Sequence, residues 1–366
     1  NDSSAYGVVG VTVGIIENNI SSTVNVESNA DIITNGAISI IANNEVKKAI
    51  VSNYDLYGGS GGVVGVGSAN LVDNIVMNTI STLGGNKAHA TGNYDNGYVT
   101  IGAQSILDVN QKVHVSAGGA VPVVDGNVEI NSKVNTQVNI KNKDIKSYND
   151  DIYFLSNNDI DIYAKSDVHS YGGVAAAGGD SIARNNSAIA SVIVSSGVNT
   201  VSGRDTYIQA ITDKSVLAFI YATTHGLIGT VGGSSATAYN NSEAIINIET
   251  DAYLKSFDSM NLIVNDNLKN LKAIREAKGT SRILLGIPIV VYGEGKQYET
   301  NNANALITLN GTIESGSGAN RSLVINSDGT YTSNGINVEG VIEKEKVGEI
   351  TDSELSADIE ALEKTK

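Results

Sequence analysis

The sequence contains no cysteine, no tryptophan and only 2 prolines. Without cysteine the fold cannot depend on disulfides, and such a chain crosses an oxidising compartment without being cross-linked before export. The lack of tryptophan removes the Trp-Asp signature of propeller blades. Lys and Arg number 24 against 39 Asp and Glu, a net charge of −15, which argues against binding to nucleic acid or to an anionic membrane surface.

Long apolar runs are also missing. The nearest candidate for a membrane span, ILLGIPIVVYG at 283–293, is shorter than the roughly 18 residues that a spanning helix needs. We therefore expect no direct membrane insertion. The sequence opens with Asn-Asp-Ser-Ser, without a Met or a signal peptide, and we expect it to be an internal piece of a longer protein.

What the chain does have is glycine and strand-forming side chains. Gly occurs 39 times, and 41% of the residues are hydrophobic. Val9, Val11 and Val13 alternate with Gly10 and Thr12, which is the period of two expected for a strand. Such segments are bounded by Asn, Asp, Gly and Ser, so the composition favours an all-β fold over helical repeats.

A glycine-rich apolar segment recurs at a nearly constant spacing. The copies are AYGVVGVTVG at 5–14, YGGSGGVVGVGSAN at 57–70, VSAGGAVPVV at 115–124, YGGVAAAGGD at 171–180, HGLIGTVGGS at 225–234 and GTSRILLGIP at 279–288. A polar doublet follows each copy, at Asn18-Asn19, Asp73-Asn74, Gly126-Asn127, Asn185-Asn186, Asn240-Asn241 and Asn301-Asn302. An alternating segment completes each module, at 37–45, 98–106, 159–167, 206–214, 261–269 and 322–330. Six degenerate modules of about 55 residues indicate a solenoid or a propeller.

The spacing within a module favours the solenoid. About 18 residues separate the doublet from the alternating segment in the first and fifth modules, so we interpret each module as three coils of about 18 residues. The predicted fold is a right-handed parallel β-helix over residues 1–340, with about eighteen coils in a rod of roughly 90 Å. We expect the Asn doublets to form its corners, since Asn tolerates left-handed backbone, and to bond to equivalent amides in adjacent coils.

The last residues differ in character, and we predict an acidic helical tail or cap over 341–366. Thr351 and Glu354 form a capping box, and Leu355, Ile359 and Leu362 share one helical face. Such a helix would either cap the last coil or begin the next region.

Two segments longer than the minimal module are predicted to be insertions, 84–97 and 141–158. Loops that project from a solenoid carry recognition because the coils fix the scaffold. The candidate binding residues are Tyr94, Asp95, Tyr148, Asp150, Asp151 and Tyr153. Aromatic faces flanked by carboxylates suit sugars and protein partners alike. The alternative is that these residues are solvent-exposed and have no binding role.

The glycine-rich segment itself raises a packing hypothesis. If Val64 and Val66 point inward, then Gly65, Gly67 and Ala69 leave a nearly bare outer face. Such faces would stack into a stripe against which another rod, or another part of the same protein, could pack laterally.

Candidate metal and catalytic residues are few. Asp159 and Asp161 would share one outer face and are the candidates for a cation site, unless they form a solvated acidic surface. His114, His169 and His225 precede the glycine-rich segments of successive modules. With three coils per module they would lie roughly 14 Å apart, too far for one zinc ion. No Gly-x-Ser-x-Gly elbow is present, and we predict no cofactor and no catalysis; a carbohydrate-active β-helix enzyme is the alternative.

Over residues 5–340, the glycine-rich runs, the Asn doublets and the segments AISIIANN and DIDIYAKSD resemble the repeat region of large Gram-negative exoproteins. These are the filamentous-haemagglutinin-like adhesins, the leukotoxin-type filamentous adhesins and the fusobacterial autotransporter passengers. The resemblance implies a secreted or surface-displayed β-helical stalk exported by an outer-membrane transporter. Its expected partners are glycans or proteins on host or bacterial cells, and a passive stalk of a leukotoxin is a further alternative. No catalytic residue carries over.

Overall fold

The computed structural model of the protein describes residues 2–48, 54–281, 289–292, 295–315, 323–325, 331–333, 336–340 and 349–351. All regular elements in these ranges are β-strands. They are β1 (Asp2–Ser28), β2 (Ile32–Thr34), β3 (Ile38–Lys48), β4 (Leu56–Leu83), β5 (Ala88–Ala90), β6 (Val99–Ile140), β7 (Asp144–Ser147), β8 (Ile152–Val194), β9 (Asn199–Ser202), β10 (Thr206–Ile248), β11 (Tyr253–Ser256), β12 (Met260–Ser281), β13 (Ile289–Tyr292), β14 (Lys296–Leu309), β15 (Thr312–Ser315), β16 (Leu323–Ile325), β17 (Tyr331–Ser333), β18 (Ile336–Gly340) and β19 (Glu349–Thr351). None of the described segments forms a helix that could cross a membrane.

The long strands stack in parallel, in the order β1-β4-β6-β8-β10-β12-β18. The short strands form a second parallel sheet of 6 strands, β15-β11-β9-β7-β5-β2. Equivalent positions of successive modules lie side by side, since Tyr57 pairs with His114 and His114 with Asp167. The predicted all-β parallel solenoid is therefore confirmed.

The predicted coil length is wrong. Strand partners are a whole module apart in sequence, as Asp2 with Tyr57 shows, so one module makes one coil rather than three. At about 4.8 Å per strand, 6 stacked coils rise on the order of 25 Å, not 90 Å. The coils are wide instead, because each carries strands such as β4, which has 28 residues.

Each coil has two long walls that face each other. In the second coil, Thr79 Oγ1 lies 2.7 Å from Ser105 Oγ across the interior. Ser166 Oγ, at the start of the fourth coil, donates to Gly126 O of the third at 2.7 Å. The walls meet at one end where Gly62 and its register partners turn the chain, which we call the glycine edge. The six short strands and their connections close the other end, which we call the short-strand edge.

The interior contains two apolar clusters separated by a polar belt. Leu83 and Phe154 belong to the cluster at the short-strand edge, and Leu71 and Leu107 to the one nearer the glycine edge. Fully buried hydroxyls and amides lie between them: Thr79, Ser105, Thr136 and Asn158. In the fourth and fifth coils the belt includes an ion pair between Lys214 and Asp266, both buried. Such pairing is what makes a buried lysine tolerable.

The Asn doublets do not form corners. Asn18 and Asn19 lie within β1, and Asp73 and Asn74 within β4. Among the described residues, the non-glycine positions with positive φ are Asp95 and Asp251. The predicted amide ladder does form, and Asn74 Nδ2 donates to Asn19 Oδ1 at 3.1 Å.

The two predicted insertions have different outcomes. Ile32 pairs with Ala88, whereas Ile38 pairs with Val99, so the connection within 84–97 is longer than its counterpart in the first coil. Segment 141–158 is not an insertion, because it contains β7 and the start of β8. Its Ile145 is fully buried.

The predicted outward glycine stripe is also wrong. Gly65, Gly67 and Ala69 face the interior, and Val64 and Val66 face outward. A Cβ on Gly65 would lie 2.8 Å from Gly118 O, so the bare backbone serves the close approach of the two walls. The valines remain on the surface because the narrow interior at this edge has no room for them.

The C-terminal part is described only in short segments. The predicted helical tail over 341–366 lies outside the described residues except for Glu349–Thr351, which is the strand β19. Lys296 pairs with Thr351 in an antiparallel arrangement.

Candidate functional site

The connections at the short-strand edge bring together several of the predicted binding residues. The connections of successive coils stack because their backbones hydrogen-bond to each other. Tyr148 N donates to Ala90 O at 3.1 Å, and Ile152 N donates to Asp205 O at 3.0 Å. We call the resulting group the edge cluster: Tyr94, Asp150, Asp151, Tyr153, Arg204 and Tyr207.

Arg204 is at the centre of the edge cluster. Its guanidinium carbon lies 4.4 Å from the ring centroid of Tyr94. Its nitrogens lie 3.8 Å from Asp150 Oδ1 and 3.9 Å from Asp151 Oδ1. A cation over an aromatic face and beside two carboxylates holds the Tyr94 ring against the coil.

Asp150 and Asp151 are not available to a ligand. They are 3% and 7% exposed. Asp151 Oδ1 accepts from Asp205 N at 3.0 Å, and Asp150 Oδ2 accepts from Gly97 N at 3.4 Å. Each carboxylate therefore satisfies the backbone of an adjacent coil, so these residues stabilise the edge rather than bind a partner.

Two tyrosines stack on the wall next to Asp151. The rings of Tyr153 and Tyr207 are 5.2 Å apart and nearly parallel at 6°. Tyr153 Oη donates to Asp151 Oδ2 at 2.7 Å. Desolvation and this hydrogen bond raise the pKa of Tyr153 well above its usual range. Tyr153 is therefore a neutral donor under all ordinary conditions.

The exposed part of this edge is aromatic. Tyr94 is 57% and Tyr148 52% exposed. Tyr148 packs edge-on against His89, with 6.0 Å between the ring centroids. Asp95 is exposed at a positive φ of 65°. Of the predicted binding residues, Tyr94, Asp95 and Tyr148 are thus accessible at one edge of the stack.

The candidate cation residues Asp159 and Asp161 lie elsewhere, on an outer wall. Asp159 pairs with Asp213 of the next coil, and Lys269 Nζ lies 3.0 Å from Asp159 Oδ1 and 3.6 Å from Asp213 Oδ2. Lys269 is the bulged residue of β12, and the bulge directs its side chain onto these carboxylates. Desolvation and the charge of Asp159 raise the pKa of Asp161. A lysine thus supplies the positive charge at this position.

The histidines contradict the expected 14 Å separation. The rings of His114 and His169 are 5.2 Å apart, because successive modules occupy adjacent coils. Asp167 lies between them, with His169 Nε2 at 2.9 Å from its Oδ1. We call His114, Asp167 and His169 the histidine cluster; it contains two imidazoles and a carboxylate, which are ligand types for divalent metals.

A shallow depression of about 780 Å³ lies beside the glycine edge. Tyr171 and His225 form one side of it, with their rings stacked 5.0 Å apart, and Gly172 and Gly173 are also in its lining. It presents an aromatic face next to bare backbone.

Comparisons with known proteins give no match, whether to protein-family models, to curated proteins or to solved structures.

Two residue groups in these regions are not predicted by the sequence pattern. Arg204 was not considered because it lies in the fourth module, a coil away from Asp151. The histidine cluster was rejected because of the assumed coil length. The period of one module places Tyr57, His114 and Asp167 in one column, but only a coil as long as the module makes them neighbours.

Proposed function

We propose that this chain is part of the passenger of a secreted or surface-displayed exoprotein and that it mediates attachment to host or bacterial cells. In this proposal the chain binds without catalysis, and its partner is a cell-surface glycan or protein. Export through an outer-membrane transporter belongs to the same proposal.

The observation that carries this proposal is the accessible aromatic surface at the short-strand edge. Tyr94 and Tyr148 are more than half exposed on connections that are held by hydrogen bonds to adjacent coils. Arg204 holds the ring of Tyr94 in place. Rigid, exposed aromatic rings supply contact area at little conformational cost, which suits both sugars and protein partners.

The extended outer surface supports the same role. Strands such as β6 and β8 place alternate side chains outward in columns that run from coil to coil. The resemblance of the repeats to filamentous adhesins gives the cellular setting. The acidic charge of −15 favours partners other than nucleic acid.

The test is binding of the purified chain to a glycan array and to host and bacterial cells. We expect the double variant Tyr94→Ala, Tyr148→Ala to lose affinity by about tenfold or more, as removal of a central aromatic contact usually does. Tyr171→Ala is the matched control, because Tyr171 is 48% exposed but lies beside the glycine edge. Point variants are needed because 141–158 includes core residues such as Ile145 and cannot be removed without damage.

Other outcomes would contradict the proposal in different ways. Shortening of an arrayed glycan would favour the carbohydrate-active enzyme. If the wild-type chain binds nothing, the passive stalk is favoured. If the Tyr171→Ala control loses as much affinity as the double variant, the binding site does not lie at the short-strand edge.

A further inference from the structure

The histidine cluster is built by the register of adjacent coils. His114 in β6 is the strand partner of Asp167 in β8, and His169 follows two residues later on the same face of β8. Since side chains two residues apart point the same way, all three project from one outer wall. The arrangement therefore links the third coil to the fourth.

The donor atoms are close enough to share one ion. His169 Nε2 lies 2.9 Å from Asp167 Oδ1, and His114 Nδ1 lies 3.8 Å from Asp167 Oδ2. One ligand atom from each residue lies within 4.8 Å of the others. A tetrahedral zinc ion with ligands at about 2.1 Å holds them roughly 3.4 Å apart. The two imidazole-to-carboxylate separations, 2.9 Å and 3.8 Å, lie on either side of that value.

Two ring nitrogens of the cluster have no hydrogen bond. His114 Nδ1 and His169 Nδ1 are buried and have no hydrogen-bond partner among the described residues, and the Asp167 carboxylate lies 3.8 Å from His114 Nδ1. Buried ring nitrogens are normally satisfied, so an unsatisfied one that faces a carboxylate and a second imidazole points to a missing ligand. A cation between the three residues would supply that ligand.

Neighbouring aromatic rings hold the donors in orientation. Tyr57 stacks on His114 with 5.3 Å between centroids, and Tyr54 packs against its ring at 4.8 Å. Tyr54 Oη also donates to Asp167 Oδ2 at 3.3 Å. Hydrogen bonds of this kind to a ligating carboxylate orient it and tune its affinity.

Lys165 opposes a bound cation. Its Nζ lies 3.8 Å from Asp167 Oδ2 and 5.0 Å from the ring centroid of Tyr221. The lysine competes for the same carboxylate, and removing it is a direct way to test whether the site takes positive charge.

We propose that His114, Asp167 and His169 form a binding site for a divalent cation of the zinc, cobalt or nickel class. The two nitrogens and one oxygen match the ligand preference of these metals over calcium or magnesium, which prefer oxygen donors. The side chains are 16%, 15% and 24% exposed, so a fourth position faces solvent. The ion cross-links two coils and leaves this position for water or an outside ligand.

The experiment is a titration of the tag-free chain with Co²⁺, followed by its visible absorption, and with Zn²⁺ by calorimetry. We expect one ion per chain. His114→Gln and His169→Gln should each lower the affinity by about tenfold or more. Lys165→Met should raise it by about severalfold, because a competing charge is removed.

The matched control is His89→Gln. His89 Nε2 also contacts a carboxylate, Asp144 Oδ2 at 2.8 Å, and a lysine, Lys146, lies beside that carboxylate as well. This variant should bind as wild type does. The proposal is overturned if Co²⁺ does not bind, if the His114 and His169 variants bind like wild type, or if the control loses binding equally.

A folding defect can be recognised separately. The melting temperature of each metal-free variant shows whether the chain is intact. For the wild-type chain, Zn²⁺ should raise the melting temperature progressively with concentration, as a ligand of the folded state must. A folded Lys165→Met variant that binds Co²⁺ no more tightly than the wild-type chain would also count against the proposal. In that case, removal of a nearby positive charge would not favour the bound cation.

Discussion

At Gly65 and Gly67 the missing side chains let the two walls of a coil approach each other. A Cβ on Gly67 would lie 3.0 Å from Val115 Cγ1, and one on Gly65 would lie 2.8 Å from the backbone oxygen of Gly118. Backbone cannot move aside as a flexible side chain can. Glycine is therefore required at Gly65 by space rather than by backbone conformation, whereas Gly67 is only tightly packed against the Val115 side chain.

This gives a prediction for a pair of glycines that lie next to each other. Gly65→Ala should destabilise the protein by about 1–3 kcal/mol, because the added methyl group overpacks the interior. Gly118→Ala should change the stability by less than about 0.5 kcal/mol, since the nearest atom to its Cβ, Tyr171 O, is 3.9 Å away. Urea unfolding of both variants measures the difference. Equal effects would mean that Gly65 does not face the opposite wall.

Asp150 and Asp151 show how a local pattern can predict an exposed site where the fold buries the side chains. An Asp-Asp pair beside tyrosines is a plausible exposed site in a sequence. In the fold, the same carboxylates accept backbone N–H groups from adjacent coils and are almost completely buried. Whether such a carboxylate faces solvent depends on unpaired N–H groups a coil away, which no local pattern records.

At the scale of the strand, identical side chains in register form ladders. Asn185 Nδ2 donates to Asn240 Oδ1, and Asn240 Nδ2 donates to Asn301 Oδ1, both at 2.7 Å. All three side chains are buried. An amide has both a donor and an acceptor, so a member inside a parallel stack, such as Asn240, can bond to the amides on both sides.

Asn240 is the residue at which this ladder can be tested. Asn240→Ala should destabilise the protein by about 1–3 kcal/mol, because it leaves buried amide groups of Asn185 and Asn301 without a partner. Asn74 is the control, since it makes two similar bonds on the outer wall, to Asn19 and Asn131 at 3.1 Å each.

The control variant, Asn74→Ala, should cost less than about 0.5 kcal/mol, because water replaces the lost partner. Chemical denaturation of the two variants compares them directly. A larger loss in Asn74→Ala would indicate that burial does not decide the strength of the ladder.

At the scale of the whole molecule, one module corresponds to one coil. The third coil can therefore be counted from Val113, the partner of Leu56, and the fourth from Ser166, the partner of Val113. The apolar clusters run through several coils, so the core belongs to the stack of whole modules.

A deletion distinguishes the two coil lengths. Removing 113–165 takes out one coil and leaves Lys112 followed by Ser166, which keeps all later strands in register. We expect this variant to keep its β-type circular dichroism and its resistance to protease. Removing 113–130 should abolish both, because it takes out the turn at Gly119 together with the adjoining parts of both walls, so the third coil cannot close.

Opposite results would support coils of about 18 residues. In that case the shorter deletion would remove one complete coil and preserve the register. Both variants lack His114, so neither bears on the histidine cluster.

Much of the fold could be predicted from local pattern. The alternation at Val9, Val11 and Val13 predicts strand, and the recurring glycine-rich segments predict a repeat of about 55 residues. The candidate site was predictable only in part. Tyr94 and Tyr148 are exposed as expected, but Arg204 joins them through contacts between coils.

The sequence by itself determined that this protein is a parallel stack of strand-rich modules, because alternation and repetition are carried by neighbouring residues along the chain. Only the tertiary structure decided that a module closes one coil, since the period is the same for one coil or three. It also decided which side of the segment around Gly65 faces inward, because small and branched apolar residues alternate there and only the opposite wall distinguishes them. The meeting of His114, Asp167 and His169 follows from that same coil length.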